Sequence, residues 1–539
     1  MPTSTMMDYP FTVTQILRHG AKVHGRREVV TWQGDSARRV SFADTYTRIE
    51  RLAAGLTSLG VEPGDVVGTF CWNHQEHVEA YFAIPCMGAV LHTVNIRLFP
   101  DQLDFVLRDG GARVVIVDDS LVHLLAEAPA AVAELDHVIA VGSGDVSVLD
   151  REVIRYDDLL ADHEPGFSWP DIDEYSAAEM CHTSGTTGDP KGVVYSHRSL
   201  WAVTFGAAAS GVNLDPGDRA LVIVPQFHVN AWGIIHVCWA KGCDILQPER
   251  HLQPEPLARF IAEERPHFAG GVPTIFNGIL ALGEREELDL SSLRLVLSGG
   301  SAVPRSLIDA YKQRYDIDIR QGWGMTEMLA IGAMAIPPTD VIDREEEFDW
   351  RVRTGTVVAG VDIRLIAEDG TEQPWDGNSI GEVEVRGPWI TGRYHNVESP
   401  EKFHDGWLRT GDVAVIDEHG SMQIVDRTKD VIKSGGEWIS SVDLENSLIA
   451  HDRVVEAAVI GVEDATWGER PLGVIVGSGD QRPTPEELST HLEGRVARWW
   501  VPERWTFIDE IPKTSVGKYD KKALRARHEA GELDIHLRE

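Results

Sequence analysis

The stretch Thr183-Ser184-Gly185-Thr186-Thr187-Gly188-Asp189-Pro190-Lys191-Gly192 is the most informative part of the chain. Its hydroxyl side chains and glycines surround one lysine, and the predicted strand Val193-Val194-Tyr195 follows. Backbone N–H groups, hydroxyl groups and a point charge are the donors that a polyphosphate requires. A Walker A loop is excluded, because that pattern needs a glycine before the lysine and Ser or Thr after it. The stretch therefore predicts a phosphate-binding loop of another kind that leads into a strand.

Short apolar runs alternate with helical patterns on both sides of this loop, from about residue 29 to residue 335. Strand-like runs include Val66–Phe70, His137–Val141 and Leu293–Leu297, and helical patterns include Phe42–Leu59 and Pro304–Tyr315. Such alternation predicts an α/β fold, in which parallel sheets are covered by helices on both faces.

The pattern changes towards the C-terminus. From about residue 350, short alternating strands with glycine turns appear, such as Ile380–Arg386, and mixed α/β returns after residue 426 with runs such as Val454–Val462. We therefore expect a large N-terminal domain over 1–425, which includes a small β-rich subdomain at about 350–425. A small α/β C-terminal domain is expected over 426–539.

The composition describes a globular chain with an acidic surface. Its 539 residues are 43% hydrophobic and 25% charged, and the formal net charge is -35. This charge excludes general binding to nucleic acid or to anionic membranes, although a local phosphate site is compatible with it. The acidic run Asp343–Asp349 predicts a solvated loop.

The chain carries no sign of a secreted or membrane protein. Five cysteines form no C-x-x-C pair, which suits a reducing cytoplasm. The N-terminus lacks a basic region followed by an apolar stretch, so we expect no signal peptide. Polar residues such as Gln226 and Asn230 interrupt the uncharged stretch Ala220–Trp239. That stretch predicts a buried strand, a polar loop and a buried helix, and no transmembrane segment.

Lysines are few and unevenly placed. Of the 11 lysines, seven lie at position 191 or within 429–522. Between Lys513 and Arg527, six basic residues stand against the single acidic residue Asp520, which gives a local charge of +5. A cationic segment in an acidic chain predicts a surface that faces an anion.

Further motifs follow the glycine-rich loop in a fixed order. They are Phe227-His228-Val229-Asn230, Ser298-Gly299-Gly300-Ser301, Gln321-Gly322-Trp323-Gly324-Met325-Thr326-Glu327, Thr410-Gly411-Asp412, the run from Asp426 to Glu437, and the run from Pro512 to Lys518. In kind and order they resemble the adenylate-forming superfamily of acyl-CoA synthetases, nonribosomal peptide adenylation domains and luciferases. The resemblance spans residues 183 to 518, which is most of the chain.

This resemblance implies a two-step reaction. A carboxylate attacks the α-phosphate of ATP to give an acyl-adenylate and pyrophosphate, and a thiol, here that of CoA, then displaces AMP. Because the carboxylate and ATP together bring about five negative charges, cations and N–H donors must neutralise them. By resemblance, Lys191 and the loop around it hold the β- and γ-phosphates. Thr183 and Glu327 hold Mg²⁺, which prefers hydroxyl, carboxylate and phosphate oxygens.

The same resemblance implies the rest of the nucleotide site. Asp412 accepts hydrogen bonds from both ribose hydroxyls, Arg427 contacts the ribose or a phosphate as a catalytic residue, and Trp323 stacks on or flanks the adenine. The other residues expected around the nucleotide are Ser184, Gly185, Thr186, Thr187, Gly188, Gly299, Gly300, Ser301, Gln321, Gly322, Gly324, Thr326, Lys429, Lys433 and Trp438.

In the resembling enzymes a small mobile C-terminal domain serves both steps. It first presents a catalytic lysine, here Lys518, which bridges the attacking carboxylate and the α-phosphate. It then rotates at a hinge, here near Asp426, and presents Gly435, Gly436 and Glu437 to CoA. Glycines on this path let a thin pantetheine arm pass close to the backbone.

The segment around Trp232 implies an apolar acid. Medium- and long-chain fatty acyl-CoA synthetases place an aromatic gate here, at the mouth of the acyl tunnel, and Val229 lies beside it. His228 either shields the carboxylate and the adenylate or is a structural histidine. Amino-acid adenylation domains place an Asp near this segment, and residues 225–236 contain none. A medium- to long-chain fatty acid is therefore the favoured substrate.

Met328 borders the acyl pocket by the same resemblance, and the chain continues with Leu329 where many fatty-acid relatives have Ser-Pro. The stretch His92–Phe99 also resembles ligases for medium-chain acids and methylthiopropionate, so a short or medium acid such as 3-methylthiopropionate, or an aryl acid, is a second candidate substrate. Three further functions stay open: loading of a carrier protein, a luciferase-like oxygenase reaction, and a non-catalytic acyl- or nucleotide-binding module. Relatives of the fatty-acid type are often dimers, so a homodimer is expected.

Overall fold

A computed structural model describes residues 4–183, 189–339, 341, 343–435, 437–478, 482–513 and 519–538, with Arg344 and Glu437 described by their backbone alone. These residues form two compact units. The first unit contains the described residues of 1–185, 189–362 and 385–408, and the second contains those of 363–384 and 409–539. The predicted domain division and hinge near residue 426 stay a prediction.

The strands are short, and most of the early ones belong to the first unit. The strands up to residue 357 are β1 (Glu28–Trp32), β2 (Ala37–Ser41), β3 (Val66–Phe70), β4 (Val90–Thr93), β5 (Ala112–Asp118), β6 (His137–Val141), β7 (Ile154–Arg155), β8 (Ala177–His182), β9 (Gly192–Ser196), β10 (Arg219–Val222), β11 (Asp244–Gln247), β12 (Phe268–Gly271), β13 (Leu295–Gly299), β14 (Asp318–Trp323), β15 (Ala333–Met334) and β16 (Gly355–Val357). The later strands are β17 (Asp362–Ile366), β18 (Glu372–Gln373), β19 (Gly381–Arg386), β20 (Phe403–His404), β21 (Trp407–Ile416), β22 (Ser421–Arg427), β23 (Ile432–Ser434), β24 (Glu437–Ile439), β25 (Val454–Asp464), β26 (Gly468–Gly477), β27 (Arg504–Phe507) and β28 (His536–Leu537).

The α-helices alternate with the strands of the first unit and are fewer in the second. They are α1 (Val13–Val23), α2 (Phe42–Ser58), α3 (Gln75–Cys86), α4 (Pro100–Gly110), α5 (Val122–Leu125), α6 (Pro129–Glu134), α7 (Tyr156–Ala161), α8 (His197–Ala209), α9 (Ile234–Lys241), α10 (Pro254–Glu264), α11 (Pro273–Gly283), α12 (Arg305–Tyr315), α13 (Arg344–Val352), α14 (Ser441–Ile449), α15 (Pro485–Leu492) and α16 (Lys521–Glu529). Short 3-10 helices lie at Asp119–Leu121, Ser147–Leu149, Thr326–Met328, Pro400–Lys402 and Arg498–Trp500.

Two sheets organise the first unit. One has the strand order β7-β6-β5-β3-β4-β8-β9, in which only the β8–β9 pair is antiparallel. In the other, strands run in the order β16-β15-β14-β13-β12-β10-β11-β1-β2, and the stretch from β14 to β1 is parallel. Parallel strands that alternate with helices confirm the predicted α/β class.

The strands of the second unit fall into two groups. One contains β18, β17, β19, β21 and β22 in that order, with β21 and β22 antiparallel. The other has the order β24-β23-β26-β27-β28, with β25 added to β26 in a long antiparallel hairpin. The core of this sheet includes Ile460, Leu472, Val474 and Trp505, all fully buried. Leu472, Gly473, Val474 and Ile475 of β26 are all buried, because apolar clusters cover both faces of this sheet.

Local sequence signals fix the helices of the first unit, and α2 shows how. Ser41 precedes the helix, and its Oγ accepts a hydrogen bond from the Asp44 N–H at 3.0 Å, which satisfies a free donor of the first turn. Ile49, Leu52 and Leu56 then recur at helical spacing and are fully buried. Among the helices that the structure describes, none combines the length and apolarity needed to cross a membrane.

The acidic run Asp343–Asp349 forms the cap and the first turns of α13, so the predicted loop is wrong, while the predicted solvation is confirmed by its exposed acidic side chains. Asp343 caps the helix: its Oδ1 accepts hydrogen bonds from the N–H groups of Glu345 and Glu346 at 2.9 and 3.0 Å. Negative side chains in a first turn also interact favourably with the positive end of the helix dipole. A run of like charges therefore forms a helix here because its charges lie at the N-terminal end.

Candidate active site

Two hydrogen bonds close the base of the glycine-rich loop. The Thr183 N–H donates to the Lys191 carbonyl at 2.9 Å, and the Lys191 N–H donates to Thr183 Oγ1 at 3.0 Å. These residues join the antiparallel strands β8 and β9. The loop residues expected to contact phosphate, Ser184, Gly185, Thr186, Thr187 and Gly188, lie outside the described residues.

The Lys191 side chain is held by a segment that the sequence motifs did not identify. Its Nζ donates to Ser399 Oγ at 2.9 Å and lies 4.8 Å from the centre of the Tyr394 ring. The His395 N–H donates to the Gly192 carbonyl at 2.8 Å, so residues 394–399 run along the end of the loop. An ammonium group over an aromatic face is attracted by the ring quadrupole, which orients the lysine.

Tyr394 also reaches the predicted metal ligand Glu327. Its hydroxyl donates to Glu327 Oε1 at 2.6 Å, and the Thr391 N–H donates to the Glu327 carbonyl at 2.8 Å. Burial, and then the Glu327 carboxylate, raise the pKa of Tyr394, so its hydroxyl stays a donor at neutral pH. Thr183, Lys191, Tyr394 and Glu327 therefore form one connected set of contacts.

The predicted adenine-flanking segments lie at the carboxyl ends of β13 and β14. Gly299 pairs with Gly322, and a Cβ at position 299 would lie 2.7 Å from the Gly322 carbonyl oxygen, so only glycine fits. Gly300 follows with a φ of 82°, and Ser301 is exposed. Gln321 is buried, and its Oε1 accepts a hydrogen bond from the Val303 N–H at 2.6 Å. Ligands of open α/β sheets bind beyond such strand ends.

Trp323 is largely buried, with 8% of its surface exposed. A Cβ at Gly332 would lie 2.5 Å from the Trp323 ring and 3.0 Å from Met328 Sδ, so the ring, Gly332 and Met328 pack together. Gly324 is equally confined, because a Cβ there would meet the Ala330 carbonyl. Nearby, Thr326 is buried and its carbonyl accepts the hydroxyl of Tyr195 at 2.7 Å.

The segment that carries His228, Val229 and Trp232 has an unusual backbone. His228 is half-buried, and its N–H donates to the Pro225 carbonyl at 2.9 Å. Residues 229–232 all have left-handed conformations, with φ between 44° and 57°. Trp232 Cη2 lies 3.7 Å from the position a Cβ of Gly299 would occupy, so the predicted gate lies against the end of β13.

In the second unit, the structure brings Asp412 and Arg427 together. They are opposite each other on β21 and β22, and Arg427 Nε lies 2.6 Å from Asp412 Oδ1. Asp412 is buried and Arg427 is exposed. The pairing holds the carboxylate in one orientation, because an Arg–carboxylate hydrogen bond is directional and charge-assisted.

The predicted hinge residue Asp426 is firmly bonded within the second unit. Its carboxylate accepts hydrogen bonds from the N–H groups of Ser441 and Arg427 at 2.6 and 2.7 Å. Burial raises the pKa of Asp426. Nearby, Lys429 is exposed, and Lys433 pairs with Glu368.

Gly435 lies against a tryptophan that the sequence motifs did not identify. Its φ is 62°, and a Cβ there would lie 2.8 Å from Trp467 Cε3. The Gly435 N–H donates to the Trp467 carbonyl at 2.8 Å, while 53% of Trp467 stays exposed. Lys433 Nζ lies 5.4 Å from the centre of the Trp438 ring. Gly436 and Lys518 lie outside the described residues, as does the side chain of Glu437.

The cationic segment around Lys518 is less free than its sequence suggests. Lys521 Nζ lies 2.7 Å from Glu445, Arg525 lies 2.7 Å from Asp430, and Lys513 pairs with Glu456. Arg527 Nε also lies 3.8 Å from Glu532, so four of the six basic side chains are paired with acids from elsewhere in the second unit. The local charge of +5 overstates the cationic surface, because contacts distant in the sequence remove part of it.

Known proteins resemble the chain over almost its full length. The model of the AMP-binding enzyme family matches residues 17–395, and that of the AMP-binding enzyme C-terminal domain matches residues 443–518. The 3-methylmercaptopropionyl-CoA ligase of Ruegeria lacuscaerulensis is 38% identical over 526 residues, which cover 96% of this chain and 98% of the relative. The long-chain-fatty-acid–CoA ligase of Thermus thermophilus is 39% identical over 537 residues, which cover 97% of each chain.

Solved structures agree with these relatives. An anthranilate CoA ligase in complex with anthranoyl-AMP matches with a TM-score of 0.83 and 27% identity, over 96% of this chain and 98% of that one. These matches confirm the resemblance to the adenylate-forming superfamily and the α/β fold. The chain belongs to the AMP-binding enzyme family.

Proposed function

We propose that the protein is an ATP-dependent acid:CoA ligase that activates an apolar carboxylic acid through an acyl-adenylate and releases acyl-CoA, AMP and pyrophosphate. The observation that carries this proposal is the connected set Thr183, Lys191, Tyr394 and Glu327 in a chain whose relatives are acid:CoA ligases. Release of AMP only when ATP, CoA and an acid are all present tests it. Adenylate formed without thioester would instead support loading of a carrier protein or a luciferase-like reaction.

In the first step, charge must be neutralised around the phosphates. Lys191 and the loop 183–188 bind the β- and γ-phosphates, and Tyr394 and Ser399 orient the Lys191 ammonium group. Thr183 and Glu327 would hold Mg²⁺, and their hydroxyl and carboxylate oxygens fit its preference for hard ligands. When bound, the ion supplies positive charge that balances the phosphate oxygens.

The remaining nucleotide contacts are proposals from the same family resemblance. Asp412, fixed by Arg427, accepts the ribose hydroxyls, and Lys429, Lys433 and Trp438 contact the nucleotide. In the first unit, the nucleotide-contacting backbone and side chains are those of Gly299, Gly300, Ser301, Gln321, Gly322, Trp323, Gly324 and Thr326. Lys518 bridges the attacking carboxylate and the α-phosphate, and His228 shields them from water.

In the second step, CoA passes along Gly435, Gly436 and Glu437. The position of Trp467 supports this path, because its exposed ring forms an apolar wall beside Gly435 while a Cβ at that glycine would clash with it. A thin pantetheine arm needs a flat apolar contact on one side and an unobstructed backbone on the other.

Trp467→Ala should slow thioester formation from supplied acyl-adenylate about tenfold, because it removes one aromatic contact with the pantetheine arm. ATP–pyrophosphate exchange should stay unchanged. The matched control is Trp375→Ala, since Trp375 is also exposed, at 41%, and lies elsewhere in the second unit. Equal slowing by both substitutions would remove Trp467 from the CoA path.

A medium- to long-chain fatty acid is the proposed substrate, and a short acid such as 3-methylthiopropionate is the second candidate, because relatives of similar identity carry names of both kinds. Val229, Trp232 and Met328 line the proposed acyl pocket. A panel from propionate and methylthiopropionate through fatty acids of increasing length to aryl acids, read by AMP release, decides between them. Highest kcat/KM for methylthiopropionate or an aryl acid would overturn the fatty-acid proposal.

Two properties of the whole protein are also proposed. The five cysteines are all free and buried, which suits a cytoplasmic location. The family resemblance favours a homodimer, and light scattering at working concentration measures that state directly. A mass of about 60 kDa instead of twice that value would contradict the dimer.

A further inference from the structure

The turn that carries Trp232 is strained. Val229, Asn230, Ala231 and Trp232 have φ values of 44°, 48°, 51° and 57°, so four consecutive residues with side chains are left-handed. Each incurs a steric cost between its Cβ and the following carbonyl oxygen, and such a run persists only where its surroundings fix it. The contacts that fix this turn therefore also fix the position of the Trp232 ring.

Asn230 is the anchor of the turn. Only 1% of the residue is exposed, and its Oδ1 accepts a hydrogen bond from Thr93 Oγ1 at 2.9 Å. Its Nδ2 donates to Glu179 Oε2 in a close contact. Thr93 ends β4 and Glu179 lies in β8, so two neighbouring parallel strands each hydrogen-bond one end of the Asn230 amide.

Glu179 is a fully buried carboxyl group without a cationic side chain beside it. Its second oxygen, Oε1, lies 3.3 Å from His236 Nε2 on α9, and within the described part of the chain neither atom has a hydrogen-bond partner. The titratable groups that face Glu179 from the surrounding elements are Tyr81, Cys86, Cys181, Tyr195 and His236, with His197 facing His236. None of these groups supplies a permanent positive charge.

A single proton shared by Glu179 and His236 would satisfy both buried groups. Burial raises the pKa of Glu179 to about 8, and burial lowers the pKa of His236 to about 4. At neutral pH both groups are therefore uncharged. A proton on Oε1 would then lie between Oε1 and His236 Nε2, while Oε2 accepts from Asn230. Loss of that proton leaves an uncompensated charge in an apolar interior, which favours opening of the site to water.

We propose that Glu179 is a positioning residue which, as a neutral acid, holds Asn230 and the left-handed turn so that Trp232 lies against Gly299. The consequence for catalysis rests on the proposed function, because it assumes that Trp232 borders the acyl pocket. Loosening the turn should weaken binding of the carboxylic acid and leave binding of ATP unaffected.

Glu179→Gln separates this role from a purely structural one. An amide accepts from Asn230 and donates to His236 at every pH, so it reproduces the protonated acid. The KM for the carboxylic acid in the wild-type protein should rise above about pH 8 and stay flat in Glu179→Gln, while the KM for ATP shows no such difference. The same alkaline rise in both proteins would overturn the proposal.

Removing the anchor gives a second measurement. Glu179→Ala and Asn230→Ala should each raise the KM for the acid about tenfold, and the double variant should be no worse than either, because both act through one contact. Additive effects, or an equal rise in the KM for ATP, would contradict the assignment. If the alanine variants fail to fold, the comparison with Glu179→Gln decides alone.

A measurement without catalysis keeps this inference distinct from the proposed function. The ordinary pKa of a glutamic acid is 4.5, and burial raises the pKa of Glu179 to about 8. At pH values between these two, the folded protein retains a proton on Glu179 that the unfolded chain has lost. The free energy of unfolding contributed by this group therefore falls as pH rises through that window and is constant above it. The Tm of Glu179→Gln minus the Tm of the wild-type protein should therefore increase from about pH 5 to about pH 8. If this difference in Tm is the same at every pH in that range, Glu179 is ionised in the folded protein and the proposal is wrong.

Discussion

Lys518→Ala should reduce carboxylate-dependent ATP–pyrophosphate exchange by about 10²–10³-fold, the usual loss when one donor to a transition state is removed. In the proposed reaction this lysine lies between two anions, the attacking carboxylate and the α-phosphate, whose repulsion is greatest as they meet. Thioester formation from supplied acyl-adenylate should change little, because that step starts after the α-phosphate has already been attacked. Both half-reactions are measured on the same preparation.

The control for this prediction comes from the same cationic segment. Lys522 is exposed on α16, so Lys522→Ala removes an equal charge from the segment without removing the proposed bridge. It should leave both half-reactions near the wild-type rate. Equal losses in the two half-reactions of Lys518→Ala would mean that the lysine does not belong to the first step alone.

The fold was accessible from the sequence because its signals are local. The runs Val66–Phe70 and His137–Val141 are strands with the predicted bounds, and Phe42–Leu59 differs from α2 by one residue. Apolar β-branched runs bounded by turns, and apolar residues at helical spacing, report directly on backbone structure. The run Asp343–Asp349 was misjudged as a loop because a cap and a dipole act through position within the helix, while charge density alone indicates solvation.

The contacts of the site were accessible only in part. Glycine-rich segments such as 298–301 could be recognised from the sequence, because a close approach between two backbone segments requires glycine. The role of Tyr394 could not be predicted in this way. It contacts Glu327 from 67 positions away, and neither its spacing nor its residue type indicates that hydrogen bond. Side chains that meet only through tertiary packing have no local signal.

The left-handed turn at 229–232 could not be predicted from the sequence for a different reason. Val229, Ala231 and Trp232 have no tendency to adopt positive φ, so local propensity argues against the conformation that the structure has. The surrounding contacts to Asn230 override that propensity. Strained backbone of this kind is expected where a protein positions a functional side chain, and it becomes visible only in three dimensions.

Glu327→Gln should lower ATP–pyrophosphate exchange by about 10²–10³-fold, because it removes the negative charge proposed to hold Mg²⁺ and keeps the shape of the side chain. The glutamine carbonyl can still accept the Tyr394 hydroxyl, so the contact at 2.6 Å is preserved. Exchange is measured over a range of Mg²⁺ concentrations, and the variant should need a higher concentration than the wild-type protein. Glu346→Gln, an exposed position on α13, is the matched control.

Tyr394→Phe distinguishes the hydrogen bond between Glu327 and Tyr394 from the proposed contact between Glu327 and Mg²⁺. It keeps the ring beneath Lys191 and removes only the hydrogen bond to the carboxylate, which should cost about 10-fold to 100-fold, as expected for a hydrogen bond to a charged group. The Mg²⁺ requirement should stay near that of the wild-type protein. If Glu327→Gln loses activity with an unchanged Mg²⁺ requirement, the assignment of Glu327 as a metal ligand is wrong.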